Sequence, residues 1–343
     1  MKKKSGHARK WLVLICILLG IVLTLMIAAT IYANYLLNLV NRAEETPQQT
    51  LSQAQIEQII QEETVAPEAT NGPVVQEEEI DWGEDDFMIS TPSEVINILL
   101  IGQDARPGEG RARSDSMILV TFNKNNNTIT MTSFLRDLYV KIPGYSDNKM
   151  NAAYAFGGME LLNRTLEENF GVYVDGNVEV NFTRFAEVID LLGGIDINLR
   201  EDEAQYINRD TGRNELSGGM MHLDGEQALS YSRIRYLDAD ADLSRTNRQR
   251  KVLNVLLEKF RNTKLTTLLG LLDDLLPMLT TDMSHGEILA YATELFPMLA
   301  DCTVVSQRVP ADGAFQFATI RQMSCVVADM DAARELLRQT MGE

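Results

Sequence analysis

Arginine recurs beside aspartate, or beside a second arginine, in short clusters: Asp104 with Arg106, Arg113 with Asp115, Arg136 with Asp137, Arg233 with Arg235, and Arg245 with Arg248 and Gln249. A guanidinium presents a planar fork of donors that matches phosphate oxygens two at a time. Carboxylates suit hard divalent cations, which take oxygen ligands. The combination predicts phosphate chemistry. No histidine or cysteine stands near Asp104 or Asp115, so a metal held by this pair would be Mg²⁺ or Mn²⁺ rather than zinc. Histidine occurs only at positions 7, 222 and 285, which leaves no zinc constellation and no serine triad. Gly108 and Gly110 lack the Lys-Ser/Thr continuation of a nucleotide P-loop.

These side chains need a scaffold. Val95 to Ile101 reads as a buried strand, Met117 to Phe122 as a second and Thr128 to Phe134 as a third, the last two joined through the polar turn Asn123 to Asn127. Asp104 and Arg106 then follow the carboxyl end of a strand, where open α/β sheets form ligand crevices. A glycine-rich loop can fold Asp115 back beside Asp104, and Arg136 leaves the third strand at the same rim. Met159 to Asn169 reads as a helix, Asn177 to Asn181 as a strand, Phe182 to Leu192 as an amphipathic helix and Ile195 to Leu199 as a strand. Helices are expected over Gly225 to Arg233, Thr246 to Arg261, Leu265 to Leu279 and Ser284 to Leu299, then two strands and a helix over Met330 to Thr340. Strands alternating with helices predict a layered α/β/α domain with a mixed central sheet. Arg245, Arg248 and Gln249 share one face at a helix start, a suitable anion cradle. Two plainer readings stay open. Asp104 and Asp115 could pair with Arg106 and Arg113 as surface ion bridges, and Arg248 with Arg250 could form a solvated basic face.

The chain before residue 92 is of a different kind. Trp11 to Tyr32 is apolar apart from Gly20, Thr24 and Thr30, long enough to span hydrocarbon, and residues 11–39 are assigned to a transmembrane helix. Lys2, Lys3, Lys4, Arg9 and Lys10 precede it, whereas Ala43 to Ala105 contains no lysine or arginine. The asymmetry predicts residues 1–10 as a cytoplasmic tail and an extracellular remainder. A cleaved signal peptide is the competing reading, although no small-x-small site closes the run. Residues 40–91 are acidic and polar, with tracts such as Glu77-Glu78-Glu79, and are expected to form a disordered linker holding the domain off the membrane surface. Much of the formal charge of −18 resides there, and an acidic chain outside the cell argues against a nucleic-acid partner. Residues 92–343 remain for one domain with a substantial core. Cys302 and Cys325, each near the start of a β-like run, could pair as a disulfide or remain two buried thiols.

In their order and spacing these motifs resemble the LytR-CpsA-Psr family of bacterial cell-envelope proteins. The resemblance rests on Gly102, Asp104 and Arg106; Arg113-Ser114-Asp115; Ser133 with Arg136-Asp137; Gly225 to Arg235; and Asp242, Arg245 and Arg248-Gln249. Asn151-Ala152-Ala153 and the turn Leu192-Gly193-Gly194-Ile195-Asp196 fit it as well, over nearly all of Val95 to Leu257. The resemblance implies a phosphotransferase that takes a glycopolymer from a polyprenyl-pyrophosphate carrier and joins it through a phosphodiester to the N-acetylmuramic acid C6 hydroxyl of peptidoglycan. It implies that Asp104 and Asp115 hold Mg²⁺, that Arg113 and Arg136 act at the reacting phosphates, and that Arg106, Arg233, Arg235, Arg245, Arg248 and Gln249 bind the pyrophosphate. The polyprenyl tail then requires an apolar slot, for which Leu161, Leu162, Phe182, Phe185 and Ile189 are candidates, each more simply explained as ordinary core. A pyrophosphatase using the same groups with water as nucleophile is one alternative. A non-catalytic envelope-binding protein and a transcription attenuator are others, the last opposed by the predicted topology.

Overall fold

The structure, a computed structural model, describes Thr24 and residues 26–43, 72–83, 87–103, 113–235, 237–238 and 241–342. Its strands β2 (Val95–Gln103), β3 (Ser114–Asn123) and β4 (Thr128–Phe134), which contain the three expected strands, form an antiparallel meander. Each is buried on both faces, which is why the apolar runs of β2 and β3 are nearly continuous, whereas β4 alternates apolar residues with Thr and Ser. The full sheet has the order β1 (Asn41–Arg42), β10 (Leu279–Thr281), β7 (Gly176–Asn181), β2, β3, β4, β11 (Thr303–Val309). The β2–β7 and β4–β11 pairs are parallel, so the sheet is mixed.

Helix α1 (Met150–Phe170) and the C-terminal α8 (Met330–Met341) cover one face, burying Leu99, Ile101, Leu119, Leu162, Leu166 and Leu337 in the main core. Gly158 inside α1 sits at φ 65°, ψ −151°, a conformation only glycine adopts without strain, and the helix bends there. The opposite face meets α2 (Phe182–Leu191) and α5 (Ala241–Asn262). A subsidiary core lies under β8 (Ile195–Leu199), α3 (Glu201–Thr211), β9 (Gly219–Leu223) and α4 (Gly225–Arg233). Beyond α5 come α6 (Leu265–Leu275) and α7 (His285–Leu295); β12 (Phe315–Ile320) pairs with β13 (Met323–Ala328) in a separate hairpin, as the short β5 (Tyr139–Val140) does with β6 (Asn148–Lys149).

Several expectations are corrected. The helix expected over Leu265 to Leu279 ends at Leu275 and gives way to a 3-10 turn and β10. Cys302 packs between β3 and β4 side chains while Cys325 lies under the β12–β13 hairpin, so the two thiols sit in different cores and no disulfide joins them. The acidic linker is not wholly unfolded. Asn41–Arg42 is a strand of the main sheet, and Val74 bridges Thr319, with Glu77 hydrogen-bonded to the Tyr139 hydroxyl and paired to Arg321 at 3.0 Å. Ile80 is buried beside Tyr139, Ile320 and Met323, which supplies the apolar burial that composition alone does not suggest. Among the described residues no helix is long and apolar enough to cross a membrane. Most of the run Trp11–Tyr32 lies outside the described residues; its visible end belongs to a helix over 26–39 in which Met26, Ile27 and Ile31 are exposed.

Candidate active site

The carboxyl end of β2 and the start of β3 form one rim of the sheet, with Gln103 opposite Ser114 and an irregularity in the ladder between Gly102 and Gln103. That bulge re-aims Asp115. Arg136, two residues past the end of β4, donates from Nη1 to Asp115 Oδ1 at 2.8 Å and from Nε to Asp137 Oδ2 at 3.1 Å. Arg235 arrives from more distant sequence, two residues after α4, with Nη2 4.0 Å from the same Asp115 oxygen. What holds it there is local. Asp224 caps α4 by accepting from Gln227 N at 3.0 Å, and Ile234 is fully buried, so the residue after it must emerge at the surface of the subsidiary core. Asp115, Arg136 and Arg235 therefore meet at one partly exposed point. Ion pairs of this exposure are worth about 0–1 kcal/mol each and exchange readily for a more highly charged guest.

Arg113 immediately precedes β3 at this rim and is half-buried, and Arg233 ends α4 with its side chain exposed. Arg245 is buried, 4% exposed, in the first turns of α5. Arg248 departs from expectation. Its Nε donates to Glu203 Oε1 at 2.9 Å, its Nη1 to the Ile234 carbonyl at 3.3 Å, and its Nη2 to Asp238. The fork is thereby committed to bracing the segment that carries Arg235. Neither a phosphate ligand nor a solvated basic face describes it. Burial pushes the neighbouring Tyr231 hydroxyl up to about 12, with the Glu203 charge adding to the rise. Asp104 and Arg106 lie outside the described residues, as does the Asp242 side chain.

Sequence reasoning missed two parts of the rim. Lys149 Nζ stands 3.1 Å from Asp137 Oδ1, so Asp137 bridges two cations. On the neighbouring strand, Glu179 accepts from Gln103 and from the Tyr154 hydroxyl. A carboxylate between the two valines of the strand Asn177 to Asn181 was the available signal.

Behind the rim a cavity of about 240 Å³ opens between the sheet and helices α2 and α5. Gly102, Ser116, Ser232 and Gln249 line its polar end, directly beside Gln103, Asp115 and Arg233; Val178, Phe185, Val252, Leu253, Leu256 and Leu279 line the rest. An adjoining cavity of about 360 Å³ shares Leu100, Val188, Leu253 and Leu256 and continues toward Phe260 and Leu299. The expected apolar slot thus exists with a different lining. Of the five candidates Phe185 lines it, whereas Leu161 and Leu162 belong to the main core on the other face and Ile189 to the subsidiary core. The Phe182 side chain lies outside the described residues. Charge at one end and hydrocarbon behind it suit an amphiphile with an anionic head.

The sequence pattern of the LytR_cpsA_psr family matches residues 50–337. The polyisoprenyl-teichoic acid–peptidoglycan teichoic acid transferase TagT of Bacillus subtilis is 33% identical over 304 residues, covering 87% of this chain and 84% of that protein. The regulatory protein MsrR of Staphylococcus aureus is 37% identical over 169 residues, about half of each chain. Among solved structures, TagT bound to LI-WTA superposes with a TM-score of 0.61 at 32% identity, covering 73% of this chain and 92% of that one. The structure described as YwtF (TagT) with bound octaprenyl pyrophosphate lipid gives 0.57 at 28% identity, covering 77% and 99%.

Proposed function

From the premise that this chain belongs to the LytR_cpsA_psr family, we propose that it transfers a glycopolymer from a polyprenyl-pyrophosphate carrier to peptidoglycan. The carrying observation is the meeting of Asp115, Arg136 and Arg235 at the mouth of an apolar cavity. The head of the carrier would lie at the rim and its prenyl tail in the cavity. In the reaction the C6 hydroxyl oxygen of N-acetylmuramic acid bonds to the phosphorus that bears the polymer. The pyrophosphate P–O bond breaks, polyprenyl phosphate leaves with the bridging electron pair, and the hydroxyl proton passes to a carboxylate, for which Asp104 is the candidate.

Such transfer needs positioning and charge neutralisation more than covalent chemistry. Arg136 and Arg235, with Arg106, Arg113, Arg233 and Arg245, would take the pyrophosphate oxygens, and Gln249 would orient the head from the cavity's polar end. Arg248 acts through Arg235 as a positioning residue. The oxygen-only donors Asp104 and Asp115 fit Mg²⁺ or Mn²⁺, which when bound neutralises pyrophosphate charge. Residues 11–39 would anchor the domain in the membrane with the N-terminus cytoplasmic, the exposed apolar side chains Met26, Ile27 and Ile31 being the visible support.

The test is turnover of lipid-linked polymer with and without glycan acceptor. Transfer predicts polymer attached to glycan and polyprenyl phosphate released only when acceptor is present. Release of free phosphorylated polymer at an unchanged rate without acceptor would identify a pyrophosphatase instead.

A further inference from the structure

We infer that the two-residue strand β1 is a rigid joint that seats the domain directly on a lipid bilayer, with the β1–β10 edge of the sheet turned toward the headgroups. The inference rests on the anchor reading above and replaces the expected flexible spacer. Val40, itself buried, is the single residue between the helix over 26–39 and β1. β1 then pairs with β10 in parallel, and the pairing continues through Ala43 N, which donates to the Thr281 carbonyl at 3.0 Å. Asn41 Nδ2 donates to the carbonyls of Pro277 at 2.7 Å and Leu279 at 3.0 Å. The last turns of the helix are held too: Ala33, Leu36, Leu37 and Val40, spaced three and four apart on one face, are half-buried or buried, whereas Met26, Ile27 and Ile31 are exposed.

The distances suit a lipid surface. From Tyr32, where the apolar run ends, to Leu39 is about 10 Å of helix at 1.5 Å per residue. A headgroup layer is about 5–8 Å deep, so β1 begins just beyond it. Tyr32 and Tyr35 are 43% and 50% exposed with ring centroids 6.4 Å apart, an aromatic pair at the depth where such rings favour the interface. Arg184, exposed, also donates to the Pro277 carbonyl and so stands beside Asn41, offering a cation to anionic headgroups. The consequence concerns the substrate. Leu279 belongs to the strand that β1 holds and also lines the 240 Å³ cavity, so a prenyl tail has an entrance beside the anchor rather than across open water.

The test uses the full chain in vesicles containing lipids brominated on the acyl chains, in a Trp11→Phe, Trp82→Phe background that removes both native tryptophans. Arg184→Trp reports the joint, and Val305→Trp reports β11, the opposite edge of the seven-stranded sheet, about 29 Å away at ~4.8 Å per strand. Bromolipid should quench Arg184→Trp emission strongly and leave Val305→Trp emission unchanged. A flexible Gly-Ser segment of about ten residues between Val40 and Asn41, with a root-mean-square span of ~17 Å, should relieve the quenching. Equal quenching of both reporters, or quenching that survives the insertion, overturns the joint. An emission change that depends on protein concentration in unbrominated vesicles would mean that a second copy covers this edge. A chain that fails to sediment with vesicles would overturn the anchor along with the joint, and none of these readouts depends on transferase activity.

Discussion

Two guanidinium groups converging on one carboxylate are an economical way to keep cations close together without an anion present, because Asp115 offsets their mutual repulsion until substrate arrives. Substituting Arg235 by Ala, or Arg136 by Ala, should lower transfer by ~10²–10³-fold, the usual cost of one preorganised donor to developing charge. Arg235→Lys should recover only part of the loss, since an ammonium cannot fork. Arg248 makes a different prediction. Burial opposes ionisation of Asp238, but hydrogen bonds from Arg200 and Arg248 outweigh it and hold its carboxyl below the ordinary range. A depressed folded-state value stabilises the protein above the unfolded value near 3.8 and loses that stabilisation as pH falls through the folded one. Acid unfolding followed by circular dichroism should accordingly be less steep below pH 3.8 in Asp238→Asn than in the parent. The placement of Arg248 was not legible in its spacing, because Arg248 and Gln249 are adjacent in sequence yet α5 turns one toward Glu203 and the other into the cavity.

Among the elements, those whose residues decide their own conformation were readable, as β2 and β3 were from their nearly continuous apolar runs. β10 and β1, three and two residues long, were not, since nothing in Leu279–Thr281 or Asn41–Arg42 marks a strand until a partner supplies the ladder. The docking of Val74 to Ile80 was hidden for the same reason, its burial being supplied by β12 and β13. Gly158 is a local feature with a measurable cost. Gly158→Ala places a side chain where only glycine is comfortable, so stability should fall by about 1–3 kcal/mol, or roughly 2–4 °C in Tm per kcal/mol. The cavity gives the complementary prediction. Leu253 is half-buried and lines both chambers, so Leu253→Trp should weaken binding of a prenyl pyrophosphate while leaving competition by inorganic pyrophosphate unchanged.

At the scale of the whole molecule, the proposed anchor would make the helix over 26–39, the β1–β10 sheet edge and the charged rim one path from lipid to reaction. The net charge of −18 is no obstacle to binding an anion, because distant carboxylates are screened over about 8–10 Å and the field at the rim is set by its own groups, Arg136, Arg235 and Lys149 against Asp115 and Asp137. Convergence across more than a hundred residues was visible only as a family resemblance until the fold brought β3, β4 and the end of α4 together. The most direct measurement is titration of the protein with a short-chain prenyl pyrophosphate and with the corresponding prenyl monophosphate, in the parent and in Arg235→Ala. The parent should bind the pyrophosphate more tightly, an advantage lost by about 10–100-fold on substitution, with monophosphate binding much less affected. Equal affinity for the two lipids, unchanged by Arg235→Ala, would contradict this expectation.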